Sequence, residues 1–306
     1  MARLLKIFMY LCIIIFLANL PIRADDKVKN PLEWLSDLEI GAFGVASPTG
    51  PLLERLNQLE ESVTGRIREG TFVERLSRLD TLLYTNQAYD ISSFFKLQAL
   101  EWVLYKEGFS GPLGLRLEKM ERLLLGNAYT GPFTKRLEKL VSQVFPEGVV
   151  KGYWANISAG LLVRVKIMDE LSSTKSKPGD KFHFVVVETV TQDVFVLFPR
   201  GITGVGVLRQ IKRPANLGRD ARLTLDFVEI KTMDGSPVKI YYGSKAQEMN
   251  HSRQLAVGAS AAGMLALGPQ GILFGLAVKG RELTIPVGTE FYLQVKEPIR
   301  VFTLKE

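Results

Sequence analysis

A block of about twenty residues recurs five times between Gly50 and Val141, and a chain repeated this way has few folds open to it. Gly50-Pro-Leu-Leu-Glu-Arg-Leu-Asn-Gln-Leu-Glu60 is echoed by Gly70-Thr-Phe-Val-Glu-Arg-Leu-Ser-Arg-Leu-Asp80, by Gly111-Pro-Leu-Gly-Leu-Arg-Leu-Glu-Lys-Met-Glu121 and by Gly131-Pro-Phe-Thr-Lys-Arg-Leu-Glu-Lys-Leu-Val141. A degenerate unit with Leu97, Leu100, Glu101 and Leu104 fills the gap. The anchor leucines are Leu56, Leu76, Leu97, Leu117 and Leu137, spaced by 20, 21, 20 and 20. Apolar residues inside a unit, such as Leu52, Leu56, Leu59 and Val63, fall on one stripe of a three-turn helix. Gly-Pro places proline at the first helical position, and Gly65 or Gly126 closes the helix in a left-handed conformation. So short an amphipathic helix cannot bury its stripe alone, which requires successive units to pack on one another.

The four clear units also carry an arginine (Arg55, Arg75, Arg116, Arg136), and three of them an acid (Glu60, Asp80, Glu121). Charge on an amphipathic helix is solvated by default, so these read as flanks of the stripe, with Glu74–Arg78 and Glu118–Arg122 as exposed i,i+4 pairs. A ladder that grips a partner is the alternative. The units, over residues 40–146, resemble short Gly-x-Leu-x-x-Arg-Leu-x-x-Leu-Glu repeats of exported proteins of diderm Firmicutes and cyanobacteria. That resemblance implies an envelope location and no particular activity.

The first residues point the same way. Arg3 and Lys6 precede the uncharged run Ile7–Leu20, and Pro21-Ile-Arg-Ala24 is followed by Asp25-Asp26, the pattern of a signal peptide cut near Ala24. Retention of the run as an anchor is the alternative, although it is short for a bilayer crossing. Cys12 is the only cysteine, so a chain cut at Ala24 holds no thiol or disulfide, which favours a bacterial periplasm or cell envelope over a eukaryotic secretory route. Removing Arg3, Lys6 and Arg23 lowers the net charge from +7 by three, to +4. That is too mild for nucleic-acid binding, and residues 25–39 read as a linker.

After Gly152 the apolar period changes from helical to alternating. Leu161, Val163, Val165 and Ile167 alternate, Phe182–Val187 and Val194–Phe198 are buried-type runs, and Asp234-Gly235 is a hairpin signal before Pro237–Tyr242. The fold class expected is therefore α+β with separate domains: helical repeats over 40–148, then an all-β barrel or sandwich over 152–306 with a glycine-rich insertion. Lys-Pro-Gly-Asp180, Phe-Pro-Arg-Gly201, Gly-Val-Gly-Val207, Leu-Thr-Leu-Asp-Phe227 and Met-Asp-Gly-Ser-Pro-Val-Lys-Ile240 together resemble the C-terminal β-barrel domain of TrbI-type scaffold proteins of type IV secretion, over residues 159–240. The helical repeats have no counterpart there, and the family's long proline-rich linker is missing here.

Residues 254–278 carry no charge, and Gly258, Gly263, Gly268, Gly271 and Gly275 punctuate the segment. They are the candidate membrane or oligomer contacts, since small residues let backbones approach closely. Pro269 divides the segment into pieces too short to span as helices, so a packed connection over the open end of the barrel is the first reading and a membrane-inserting hairpin the second.

No His or Cys pair has metal-ligand spacing around His183 or His251, and neither a phosphate loop nor a nucleophile elbow occurs. No cofactor is expected. Asp180, Asp193, Asp220 and Asp226 read as turn or edge residues. Asn156-Ile-Ser and Asn250-His-Ser match the glycosylation pattern. The expectation is a non-enzymatic exported envelope protein acting as a structural, docking or assembly module. Its partner would be an envelope protein or cell-wall polymer, with homo-oligomerisation and membrane contact open. An oligomeric membrane-associated secretion component using 255–278 is the alternative, and a wall-degrading hydrolase working through Asp180 or Asp226 comes third.

Overall fold

A computed structural model describes residues 30–47, 49–87, 90–213, 221–257, 264–265, 272–275 and 282–306. The segment read as a signal peptide lies outside the described residues. Six helices open the described chain: α1 (Pro31–Phe43), α2 (Leu52–Thr64), α3 (Phe72–Tyr84), α4 (Ser93–Tyr105), α5 (Leu113–Leu125) and α6 (Phe133–Val144). The anchor leucines Leu56, Leu76, Leu97, Leu117 and Leu137 are all buried, as the stripe requires. A sixth unit precedes them. α1 occupies part of the stretch read as a linker, with Leu35 and Leu38 in the core and Asn30 capping it by accepting from the Leu32 N–H. Its apolar spacing was hidden by the absence of the Gly-Pro and Arg-Leu marks.

Pro51, Pro112 and Pro132 sit at the N-cap, one place before the first helical residue. They have a second role. Each helix packs on the next, and α5 and α6 also return to α1 and α2. At that return the rings of Pro112 and Pro132 press on Gly44 and Gly65, the left-handed caps of α1 and α2, where an added Cβ would lie 2.6 and 2.5 Å from the proline Cγ. Glycine is thus required there by backbone angle and by space alike.

The β region contains a closed six-stranded antiparallel barrel. Its strands are β2 (Leu162–Ile167), β4 (Lys181–Val186), β7 (Thr203–Lys212), β8 (Arg222–Lys231), β9 (Pro237–Tyr241) and β13 (Glu290–Val295), joined in the circuit β8-β7-β4-β2-β13-β9-β8. A barrel this narrow is filled by side chains. Phe182, Phe184, Phe227 and Phe291 meet edge-on or tilted in its centre, with ring centroids 5.2–6.4 Å apart. Room for them comes from the Gly-Val-Gly-Val run of β7: Gly206 faces Phe182 and Gly204 faces Phe184, and a Cβ at either would stand 2.2–2.3 Å from the ring. Valines on the alternate positions keep the strand extended.

Outside the barrel lie β3 (Leu171–Ser172) with β12 (Thr284–Ile285), the β5 (Val190–Gln192)–β6 (Phe195–Phe198) hairpin, and a two-stranded ribbon of β1 (Tyr153–Ile157) and β14 (Ile299–Thr303). Helix α7 (Ser244–Val257) lies along β13, where Asn250 donates to the Tyr292 carbonyl and accepts from its N–H. That amide is buried and occupied on both sides, so the Asn250-His-Ser sequon is closed to glycosylation. β10 (Met264–Leu265) and β11 (Ile272–Gly275) form a pair that adds to β8, with Gly275 opposite Arg222. Among the described residues no helix is long and apolar enough to cross a membrane.

Candidate interaction surfaces

The repeated charges are not solvated flanks. Arg55 of α2 grips Glu39 of α1, Arg75 grips Glu60, Arg116 grips Glu101 and Arg136 grips Glu121, each through Nε and Nη2 at 2.5–3.2 Å. The carboxylates are almost wholly buried. Glu39, Glu60 and Glu121 also accept from the backbone N–H eight residues on, in the loop that leads to the next helix. Further acceptors meet the guanidinium in three steps: Ser36, Asn57 and Gln98, each one residue after its anchor leucine. A buried charge must have its lone pairs and N–H groups filled, and here one acid fixes a helix, the next helix and the loop between them. The expectation failed because a single helix cannot show which of its polar flanks the neighbouring unit will cover. Of the two exposed pairs, Glu118–Arg122 forms, whereas Glu74 makes a capping box with Thr71 and Arg78 reaches the Glu69 carbonyl.

The ladder breaks between α3 and α4, where the spacing lengthens to 21 and the positions hold Asp80 and Lys96. Asp80 accepts from Trp34 Nε1 of α1 at 3.2 Å, and Lys96 pairs with Glu138 of α6 at 2.6 Å. Beside the break, burial, with Asp80 adding to it and Arg116 opposing, pushes the Tyr84 hydroxyl up to about 12. At the last rung burial would raise Glu121. The Arg136 hydrogen bond and the Tyr129 N–H outweigh it, and the carboxyl stays below its ordinary range.

The array and the barrel are joined through the β1–β14 ribbon. One face of the ribbon (Ala155, Ile157, Val301) belongs to the barrel core. On the other, Phe302 belongs to the core of the array, against Phe95 at 4.8 Å and Trp154 at 5.2 Å. Two barrel turns lock this arrangement. In the Pro-Arg-Gly turn, the Arg200 carbonyl accepts from Gly108 at 2.7 Å, Arg200 pairs with Glu107, and Gly201 at φ +90° leaves space for the Gly108 carbonyl. The Asp-Gly turn is a five-residue connection, Thr232–Ser236. Its Asp234 accepts from the Phe302 N–H at 2.8 Å, and Gly235 meets the Phe94 ring. Both turns read from sequence as hairpin punctuation; what they dock on needed the fold.

Next to the junction an open groove of about 520 Å³ is lined by Ile91, Lys96, Glu138, Val141, Val149 and Tyr153. Exposed aromatic residues continue from it. Arg300 lies over the Trp154 ring at 5.0 Å and Lys305 over Tyr153 at 4.4 Å. Of the five candidate glycines, Gly275 ends β11, while Gly258, Gly263, Gly268 and Gly271 lie outside the described residues. His183 is exposed on β4 and its Nδ1 meets Asp169 at 3.1 Å. Asp180 accepts from the Lys177 N–H, and Asp226 pairs with Arg209, so each carboxylate raised for hydrolysis has a partner of its own.

No protein family matches this chain, and no curated protein does. Among solved structures it is similar to ComB10 of the Com type IV secretion system of Helicobacter pylori, with 14% identity over 47% of this chain and 88% of that one and a TM-score of 0.27. That neighbour comes from the class of system named for residues 159–240, and so low a TM-score carries the resemblance no further. The resemblance of residues 40–146 to exported repeat proteins finds no match.

Proposed function

We propose that this chain is a non-enzymatic, exported bacterial envelope protein that works as a structural docking or assembly module. The observation that carries the reading is the shared ribbon: Phe302 sits in the core of the array while its neighbour Val301 sits in the core of the barrel. A spacer joined by a flexible tether would keep the two apart. Here they are one body, held by apolar contact and by two locked turns, which suits a part that must hold partners at fixed separation. The partner proposed is an envelope protein or a wall polymer rather than nucleic acid. Contact with a membrane through 255–278 is the second reading, favoured by the uncharged run of 254–278 and by its attachment to the barrel wall through β11.

Fractionation of producing cells, with mass spectrometry of the N-terminus in each fraction, tests this. An N-terminus at Asp25 in the soluble envelope fraction is expected. Cytoplasmic protein retaining Met1 or Ala2 would overturn export. Cleaved protein that stays in the membrane through salt and carbonate, and leaves it when 255–278 is replaced by a Gly/Ser linker, would transfer the reading to membrane insertion.

A further inference from the structure

The β1–β14 ribbon has an unprotected edge. Among the described residues β14 is the one strand paired with β1. On β14, the Phe302 N–H turns away from β1 to Asp234 and the Leu304 carbonyl turns away to Val196. Alternation along the strand then makes Tyr153↔Thr303, Ala155↔Val301 and Ile157↔Ile299 the hydrogen-bonded pairs. The N–H and C=O of Trp154 and Asn156 consequently face outward, and both residues are exposed.

Edges of this kind are normally blunted by shortness, a bulge, proline or lysine. Elsewhere in this chain the small sheets follow that rule, since β3 and β12 have two residues each and β5 has three with a register shift. β1 has five residues, Tyr-Trp-Ala-Asn-Ile, without a bulge, proline or charge, and no charged residue occurs from Gly152 to Val163. The strand itself carries no charge that would select a charged partner or repel an identical strand, and the flanking Arg300 and Lys305 lie over the faces of the Trp154 and Tyr153 rings. We propose that β1 pairs antiparallel with β1 of a second copy about a two-fold axis at Ala155, giving a continuous β14-β1-β1-β14 sheet. This register sets Trp154 opposite the second copy's Asn156 twice over, and its two outward N–H and two outward C=O groups per strand complete four backbone hydrogen bonds.

The register makes a test possible in intact cells with the full chain. Ala155 faces its own copy as a non-hydrogen-bonded pair, about 4.5 Å between Cα atoms, at the short end of the span a disulfide bridges. With Cys12, the only cysteine, changed to Ser, Ala155→Cys is expected to give a disulfide-linked dimer under mild oxidation. Its yield should be several-fold above that of Val287→Cys, an exposed position away from the edge. Adding Asn156→Pro, which removes an outward N–H, or Asn156→Lys, which sets a charge on the edge, should abolish the dimer while the purified protein keeps its melting temperature. Absence of the Ala155→Cys dimer, an equal yield from Val287→Cys, or a dimer that persists in both of these variants would overturn the proposal. Cross-linking of Ala155→Cys to a different protein in place of itself would also overturn it and assign the edge to that partner.

Discussion

Replacing Glu101 by leucine should unfold the array far more easily than its conservative volume implies. Glu101 is fully buried and accepts from Arg116 Nε at 2.8 Å and Nη2 at 2.6 Å, and Arg116 itself is 6% exposed. Without the acid, the guanidinium keeps Gln98 Oε1 at 2.8 Å and the Phe94 ring at 5.3 Å, neither of which neutralises it. Stranding one member of a buried pair costs about 3–5 kcal/mol, and the two remaining contacts place this case near the lower end, about 3 kcal/mol. At about 2–4 °C per kcal/mol for a chain of this size, the melting temperature falls by about 6–12 °C. Adding Arg116→Met to Glu101→Leu removes the stranded charge and should recover most of the loss, because a hydrophobic substitute for both partners is often neutral or better. The exposed pair Glu118–Arg122 is the internal control, and Glu118→Ala should change stability by less than about 1 kcal/mol. Urea unfolding followed by circular dichroism on the wild type, Glu101→Leu, Arg116→Met and the double variant gives the coupling energy directly. A loss under about 1 kcal/mol for Glu101→Leu, or a double variant as unstable as the two single changes summed, would refute the claim that burial makes this pair a joint of the array.

The barrel and the pH dependence supply further checks. Gly206→Ala places a methyl group 2.2 Å from the Phe182 ring, so a destabilisation of about 1–3 kcal/mol is expected by urea unfolding, and relief on adding Phe182→Leu. Tyr84 ionises near 12 when folded and near 10 when unfolded, so stability present below pH 10 is lost between the two values, by about 2–3 kcal/mol; Tyr84→Phe should flatten that alkaline limb. The shift of Glu121 has the opposite sign, and the stability it contributes is lost as pH falls below 4.5, a loss that Glu121→Gln should remove from an acid titration of the melting temperature.

What the sequence determined by itself is whatever depends on local spacing. The leucine stripe at a period of about twenty residues fixes the helices and their buried faces. Left-handed glycines end α2 and α5, and the switch to alternation after Gly152 marks the strands. Tertiary structure decided everything that depends on which surface a neighbour covers. Arg116 and Glu101 look like ordinary surface charges until the next helix closes over them. Pro112 reads as a helix starter, yet it also fills the space above Gly44 on a helix four units away. The Asp-Gly turn is legible as a turn, but not as the acceptor for Phe302 on the last strand, because a side chain's partner is set by the folded path of a chain whose relevant residues lie 68 positions apart. The same holds for β1. Its alternation predicts a strand, while its open edge exists only because the barrel closes without it.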